Sequence, residues 1–112
     1  MRRFILLAFA ILSLSAHAQL TDVITSLDEP TSIAIYGDDL YISEDRKVIK
    51  IDLTDPTPTP VEVFSDFIGG VGLLVKDDEL YISVYTGGKV VKMDLTADTP
   101  IPVDVVTYWY VF

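Results

Sequence analysis

Two acidic clusters, Asp38-Asp39 and Asp77-Asp78-Glu79, are the first side chains in this 112-residue chain to test for chemistry. Neighbouring carboxylates can hold a hard cation through oxygen, and calcium is the ion such a group would suit. These clusters lack the alternating spacing of a calcium loop, however, and each stands between two apolar runs, where aspartate favours a turn. A turn is therefore the expectation. No cofactor is expected, and calcium is the one ion left open. Beyond residue 18 the chain has neither His nor Cys. That removes Ser-His-Asp catalysis, cysteine nucleophiles, imidazole-bound zinc and the usual neutral-pH general bases. Ile68-Gly69-Gly70-Val71-Gly72 lacks the Lys-Ser/Thr of a phosphate loop and no helical pattern follows it. No catalytic residue is expected.

The ends of the chain say where it goes. Met1-Arg2-Arg3, an apolar run from Phe4 to Leu14, and Ala16-His17-Ala18 reproduce the three regions of a secretory signal peptide, with cleavage expected between Ala18 and Gln19. The run is shorter than the roughly 20 apolar residues that a bilayer span requires. No Cys follows, so a lipoprotein anchor is excluded, and no second run of spanning length follows either. The expected location is periplasmic or extracellular. Without residues 1–18 the chain keeps 6 basic and 17 acidic residues, a net charge of −11. A surface this acidic repels phosphate backbones, so nucleic acid is excluded as a partner. The absence of Cys means that an exported chain must be held by packing or by partners rather than by disulfides.

The elements that position these residues come in two copies. Leu40-Tyr41-Ile42-Ser43 recurs as Leu80-Tyr81-Ile82-Ser83. Upstream, Ser32-Ile33-Ala34-Ile35-Tyr36-Gly37-Asp38-Asp39 aligns with Gly72-Leu73-Leu74-Val75-Lys76-Asp77-Asp78-Glu79. Downstream, Lys47-Val48-Ile49-Lys50-Ile51-Asp52-Leu53-Thr54 aligns with Lys89-Val90-Val91-Lys92-Met93-Asp94-Leu95-Thr96. Asp22-Val23-Ile24-Thr25-Ser26-Leu27 aligns with Glu62-Val63-Phe64-Ser65-Asp66-Phe67, so residues 19–29 read as a lone fourth strand of a repeat that is otherwise absent.

Each copy divides into four strand-like runs, at residues 32–36, 40–43, 47–53 and 61–65, then 72–76, 80–84, 89–95 and 103–107. The proline-rich stretch from Asp55 to Pro60 cannot be a central strand and reads as a loop. Ile49, Ile51 and Leu53 alternate with Lys50 and Asp52, the pattern of a strand with one covered face. The first run does not alternate: Ile33-Ala34-Ile35 and Leu73-Leu74-Val75 are apolar throughout, which predicts a strand covered on both faces. The fold class expected is all-β: two consecutive four-stranded antiparallel sheets, each of the kind that stacks around an axis as a propeller blade, plus the N-terminal lone strand.

The string from Gly72 to Ser83, followed by Lys89-Val90-Val91-Lys92-Met93-Asp94-Leu95, resembles repeats of six-bladed β-propellers, the NHL and SMP-30/gluconolactonase groups above all. Beyond the signal peptide at 1–18, the resemblance implies a partial propeller at 19–112, with the lone strand at 19–29, blade one at 30–66, blade two at 70–107 and an apolar tail at 108–112. It also implies a ligand face built from loops, which would hold Asp28, Glu29, Glu44, Asp45, Arg46, Tyr85 and Thr86. Gluconolactonase-like enzymes hold a divalent ion there with acidic and amide groups. This chain has no Asn, and its one Gln is Gln19, so that ligand set does not carry over. Tyr41 and Tyr81 hold equivalent places in both copies, which argues for packing rather than for a unique site.

Propellers close with four to eight blades, and two blades leave two apolar sheet faces without neighbours. A few hundred Å² on each, at about 25 cal/mol per Å², is worth several kcal/mol. Either copies of the chain self-associate, three supplying six blades, or further blades belong to a longer chain. The apolar run Tyr108-Trp109-Tyr110-Val111-Phe112 favours the second. The expected function is that of an exported, non-catalytic binding or assembly module of unknown ligand; the alternative is a fragment of a lactonase-like metal-dependent hydrolase. The export reading predicts that protein recovered outside the cytoplasm has the intact mass of a chain beginning at Gln19; a mass that retains residues 1–18 overturns it.

Overall fold

The computed structural model describes residues 19–65, 67–69, 71–85 and 87–107; the predicted signal peptide, Thr86 and the apolar tail lie outside them. The described chain is all-β. It forms β1 (Ser32–Tyr36), β2 (Asp39–Glu44), β3 (Lys47–Asp52), β4 (Val61–Ser65), β5 (Gly72–Lys76), β6 (Glu79–Val84), β7 (Lys89–Asp94) and β8 (Val103–Thr107). Two four-stranded antiparallel sheets result, ordered β1-β2-β3-β4 and β5-β6-β7-β8, and β1 lies against β5. Each run predicted from the sequence is a strand, with ends shifted by one residue at β2, β3, β6 and β7.

Local chemistry explains the connections. Tyr36 pairs with Asp39 and Lys76 with Glu79, so each first hairpin turns through two residues. The first of the two has positive φ in both copies, 58° at Gly37 and 56° at Asp77. That backbone sense follows the right-handed twist of paired strands, and it costs glycine nothing and aspartate little. The acidic clusters are therefore hairpin turns, as their composition suggested. The amides of Leu53 and Leu95 each donate to a hairpin carbonyl, Asp38 and Asp78 respectively, both at 2.8 Å. Where β3 ends, Asp52 Oδ1 accepts from the amide and hydroxyl of Thr54 at 2.8 and 2.6 Å. Asp94 repeats this with Thr96 at 2.9 and 2.6 Å.

Both sheets carry a bulge on their last strand. Val48 faces Phe64 but Ile49 faces Glu62, which leaves Val63 unpaired; Val90 and Val91 treat Val105 in the same way. The extra residue turns two successive apolar side chains, Val63 and Phe64, toward the neighbouring sheet.

The core lies between the sheets. Tyr41 and Val48 of the first sheet meet Leu80, Ile82, Val84, Val91 and Met93 of the second, with Phe67 and Val71 from the connection. The Phe64 and Phe67 rings stack at 5.5 Å beside them. Four polar contacts fix the register of the stack. Ser43 Oγ donates to the Val71 carbonyl at 2.9 Å, and Thr31 Oγ1 donates to the same oxygen at 3.3 Å. The Leu73 amide donates to Ser32 Oγ at 3.1 Å and the Tyr36 hydroxyl to Asp78 Oδ1 at 2.9 Å.

Two expectations need correction. The first strand of each sheet is not covered on both faces: Ile33 and Ile35 are 64% and 58% exposed and Leu74 is 63% exposed. Each sheet has one neighbouring sheet here, so β1 and β5 are covered on one side, and the deepest burial falls on the central strands β2, β3, β6 and β7. Residues 19–31 form no strand. Ser26 and Glu29 have φ of 62° and 47°, which turn the chain out of the extended region. Even so, Ile24 and Leu27 pack on Ile42, Ile49 and Ile51, the same relation that Phe64 and Phe67 have to the second sheet. Only the strand is absent; the alignment of this segment with the end of β4 holds in its packing.

Ile82 is fully buried between the sheets and Ile101 is exposed. Truncating Ile82 to Ala removes core contacts and leaves a cavity, so denaturant unfolding of I82A is expected to fall by about 2–5 kcal/mol. I101A is expected to stay within about 0.5 kcal/mol of the parent. Equal effects at the two positions would contradict the core assigned here.

Candidate functional site

The loop candidates divide between two places. Asp28, Glu44 and Asp45 are gathered at one end of the first sheet by bonds that belong to the fold. Glu44 closes β2 and is 5% exposed. Its Oε2 accepts the Asp28 amide at 2.6 Å, and its Oε1 lies 4.0 Å from Lys47 Nζ. The Asp45 amide donates to the Asp28 carbonyl at 2.9 Å, and the Thr31 amide to the Ser43 carbonyl at 3.0 Å. A buried carboxylate requires such partners. One oxygen of Glu44 thus tethers the segment before β1 to the sheet, and the other faces Lys47 of β3. Glu29 and Arg46 flank this group with exposed side chains, φ being 47° and 76°. Tyr85 is 89% exposed on the β6–β7 connection, and no bond among the described residues joins it to the Asp28–Glu44 group. Thr86 is outside the described residues.

The sequence carries one signal of the Glu44 tether. At the equivalent place in the second copy stands Val84, buried in the core. The second sheet is entered directly from β4 through Phe67 and Val71, and needs no ionic tether there.

The opposite, hairpin end of the second sheet holds an open depression of about 490 Å³, with Asp77, Asp78, Glu79, Lys92 and Asp94 among its lining residues. Most of these carboxylates have a partner in the fold. Asp78 accepts from Tyr36, Glu79 pairs with Lys92 at 3.1 Å, and Asp94 holds Thr96. Among the described residues, no group of three or more His, Cys, Asp or Glu is arranged to hold a metal ion.

These bonds shift the groups they join. The hydrogen bond to Asp78, with some burial and the negative charge of Asp78 and Asp94, raises the Tyr36 hydroxyl above the ordinary tyrosine value. Burial, then the charge of Asp39, raises Tyr41. Hydrogen bonds from Thr54 and Thr96 lower Asp52 and Asp94 below the ordinary aspartate value. The Glu79 carboxylate raises Lys92.

What the loops do not offer as a convergent site, the sheet faces offer as surface. Tyr41 is 4% exposed between the sheets, whereas its counterpart Tyr81 is half-exposed on the outer face of the second sheet. Ser43 is buried and Ser83 is exposed; Ala34 is half-buried and Leu74 exposed. The reverse holds on the other side, where Leu73 and Val75 are half-buried and their counterparts Ile33 and Ile35 exposed. Searches of protein-family models, curated proteins and solved structures return no match to this chain.

The shifts fix the sign of the pH dependence. Asp52 and Asp94 are lowered on folding, so their contribution is present above the unfolded aspartate value of 3.8 and is lost as pH falls through their folded values. Tyr36 is raised, so its contribution is full below the unfolded tyrosine value of 10.0 and is lost as pH rises through the folded value. Tyr36→Phe is expected to flatten the alkaline limb of the stability profile, leaving the part that Tyr41 carries. An unchanged alkaline limb would show that the Tyr36–Asp78 bond is not formed in solution.

Proposed function

We propose that this chain is an exported, non-catalytic repeat module of the β-propeller type that acts by binding or assembly. The unequal exposure of equivalent positions carries this reading. Two sheets of the same repeat stack face on face; the outer face of the first keeps Ile33 and Ile35 exposed beside the part that Ile24 and Leu27 cover, and the outer face of the second keeps Leu74 exposed and Tyr81 half-exposed. Apolar side chains arranged in register across a sheet are a surface for another protein surface, since contiguous exposed apolar area on a soluble protein marks interaction sites. The loops support the same reading: Glu44, Asp45 and Asp28 are joined to one another, and His and Cys, the side chains best suited to neutral-pH catalysis, are missing beyond residue 18.

The resemblance to gluconolactonase-like repeats makes lactone hydrolysis the decisive assay. Purified protein with added calcium is expected to hydrolyse aldonolactones at the buffer rate. Calcium-dependent turnover above that rate, abolished by a chelator, overturns the non-catalytic reading.

A further inference from the structure

We propose that the uncovered face of the second sheet docks on the outer face of the first sheet of a second copy, in the register that the two sheets already use within one chain. The proposal deepens the assembly reading above by naming the partner and the contact. Its template is internal. In the chain, the face bearing Ala34, Tyr36, Tyr41 and Ser43 receives the face bearing Leu73, Val75, Ile82 and Met93. By the repeat, Leu74, Lys76, Tyr81 and Ser83 form the first kind of face again and Ile33, Ile35, Ile42 and Ile51 the second. The chain therefore carries one closed pair of faces and a second pair of the same two kinds that is open on the second sheet and, on the first, open at Ile33 and Ile35 but covered at Ile42 and Ile51 by Ile24 and Leu27.

The polar contacts carry over with one informative change. Ser83 takes the place of Ser43, and its partner becomes the Thr31 carbonyl of the second copy, as Val71 is the partner of Ser43. Tyr36 is replaced by Lys76, and Asp78 by Asp38. The tyrosine–aspartate hydrogen bond inside the chain thus becomes a lysine–aspartate ion pair between copies. A lysine reaches about as far as a tyrosine hydroxyl, and it adds a full positive charge that can steer the acidic partner into register. Lys76 and Asp38 are both exposed, and neither side chain is in an ion pair among the described residues. In a chain of net charge −11 without residues 1–18, copies repel one another, so a specific cation facing an anion selects this register over others.

The same register predicts a competition. Ile24, Phe64 and Val106 are equivalent by the repeat. Ile24 and Leu27 cover Ile42, Ile49 and Ile51 of their own sheet, in the place that Val106 of a docking copy would take. Docking must therefore lift residues 19–27 from the acceptor. The contact is between unlike faces, so its repetition leads to a ring or a filament rather than to a twofold dimer.

Sedimentation of the purified protein over a range of concentrations, with charge-reversal variants, tests this. The parent is expected to self-associate. Lys76→Glu and Asp38→Lys should each weaken association about tenfold or more, because each sets like charges against one another. The double variant, which restores opposite charges, should recover most of the loss. Ile24→Ser with Leu27→Ser should strengthen association by loosening the competing segment. A parent that is monomeric throughout, single reversals without effect, a double variant no better than the singles, or a loosened segment that does not strengthen association each overturn the proposal. None of these results depends on hydrolysis, so the non-catalytic reading stands or falls separately.

Discussion

An apolar sheet face needs a neighbour, and that requirement organises this molecule. Within each repeat the backbone bonds are satisfied by a simple meander, β1 to β4 and β5 to β8. Such a sheet is not stable by its ladder alone; the side chains standing out of it must leave water. The first sheet meets the requirement with the second sheet on one side and with Ile24 and Leu27 on part of the other. The second sheet meets it on one side. The register bonds through Ser43, Ser32, Thr31 and Tyr36 then decide how the faces meet, because apolar packing is non-directional and hydrogen bonds are not.

The strands were legible because their signals are local. Alternation in Lys47 to Asp52, prolines at 56, 58 and 60, and the Gly37-Asp38 and Asp77-Asp78 turns each act within a few residues, and the strands fall where these signals place them. Burial was less legible because it depends on what stands opposite. Ile33-Ala34-Ile35 reads as doubly covered, yet its outer side chains are exposed, since apolar character records a preference for cover and not its presence. The bulge at Val63 had a signal, two successive apolar residues at the end of an alternating run.

The candidate loop site was legible in composition and not in role. Asp28, Glu44 and Asp45 come together, as a loop-built face would require, but through one buried carboxylate and three backbone groups. The reason lies in the difference between the copies. The second sheet inherits its covering residues from β4 along a continuous path, so Val84 suffices there. Among the described residues no strand precedes the first sheet, and a charged residue appears at the same repeat position, bonded to the segment that packs there instead. A departure from a repeat is thus as informative as the repeat itself: it marks where one copy's surroundings differ from the other's.

That logic extends to the polar positions on the faces. Tyr36 and Lys76 are equivalent, as are Asp78 and Asp38, yet only Tyr36 and Asp78 meet within the chain. A neutral donor suits a contact between two sheets of one chain, which are already at high effective concentration. A contact between separate acidic molecules has no such help and gains from a full charge, which acts over the distance of approach as well as at the bond. The exchange of tyrosine for lysine at the uncovered face is therefore the change that an interface between chains would require, made at the position where the internal interface uses its one solvent-edge hydrogen bond.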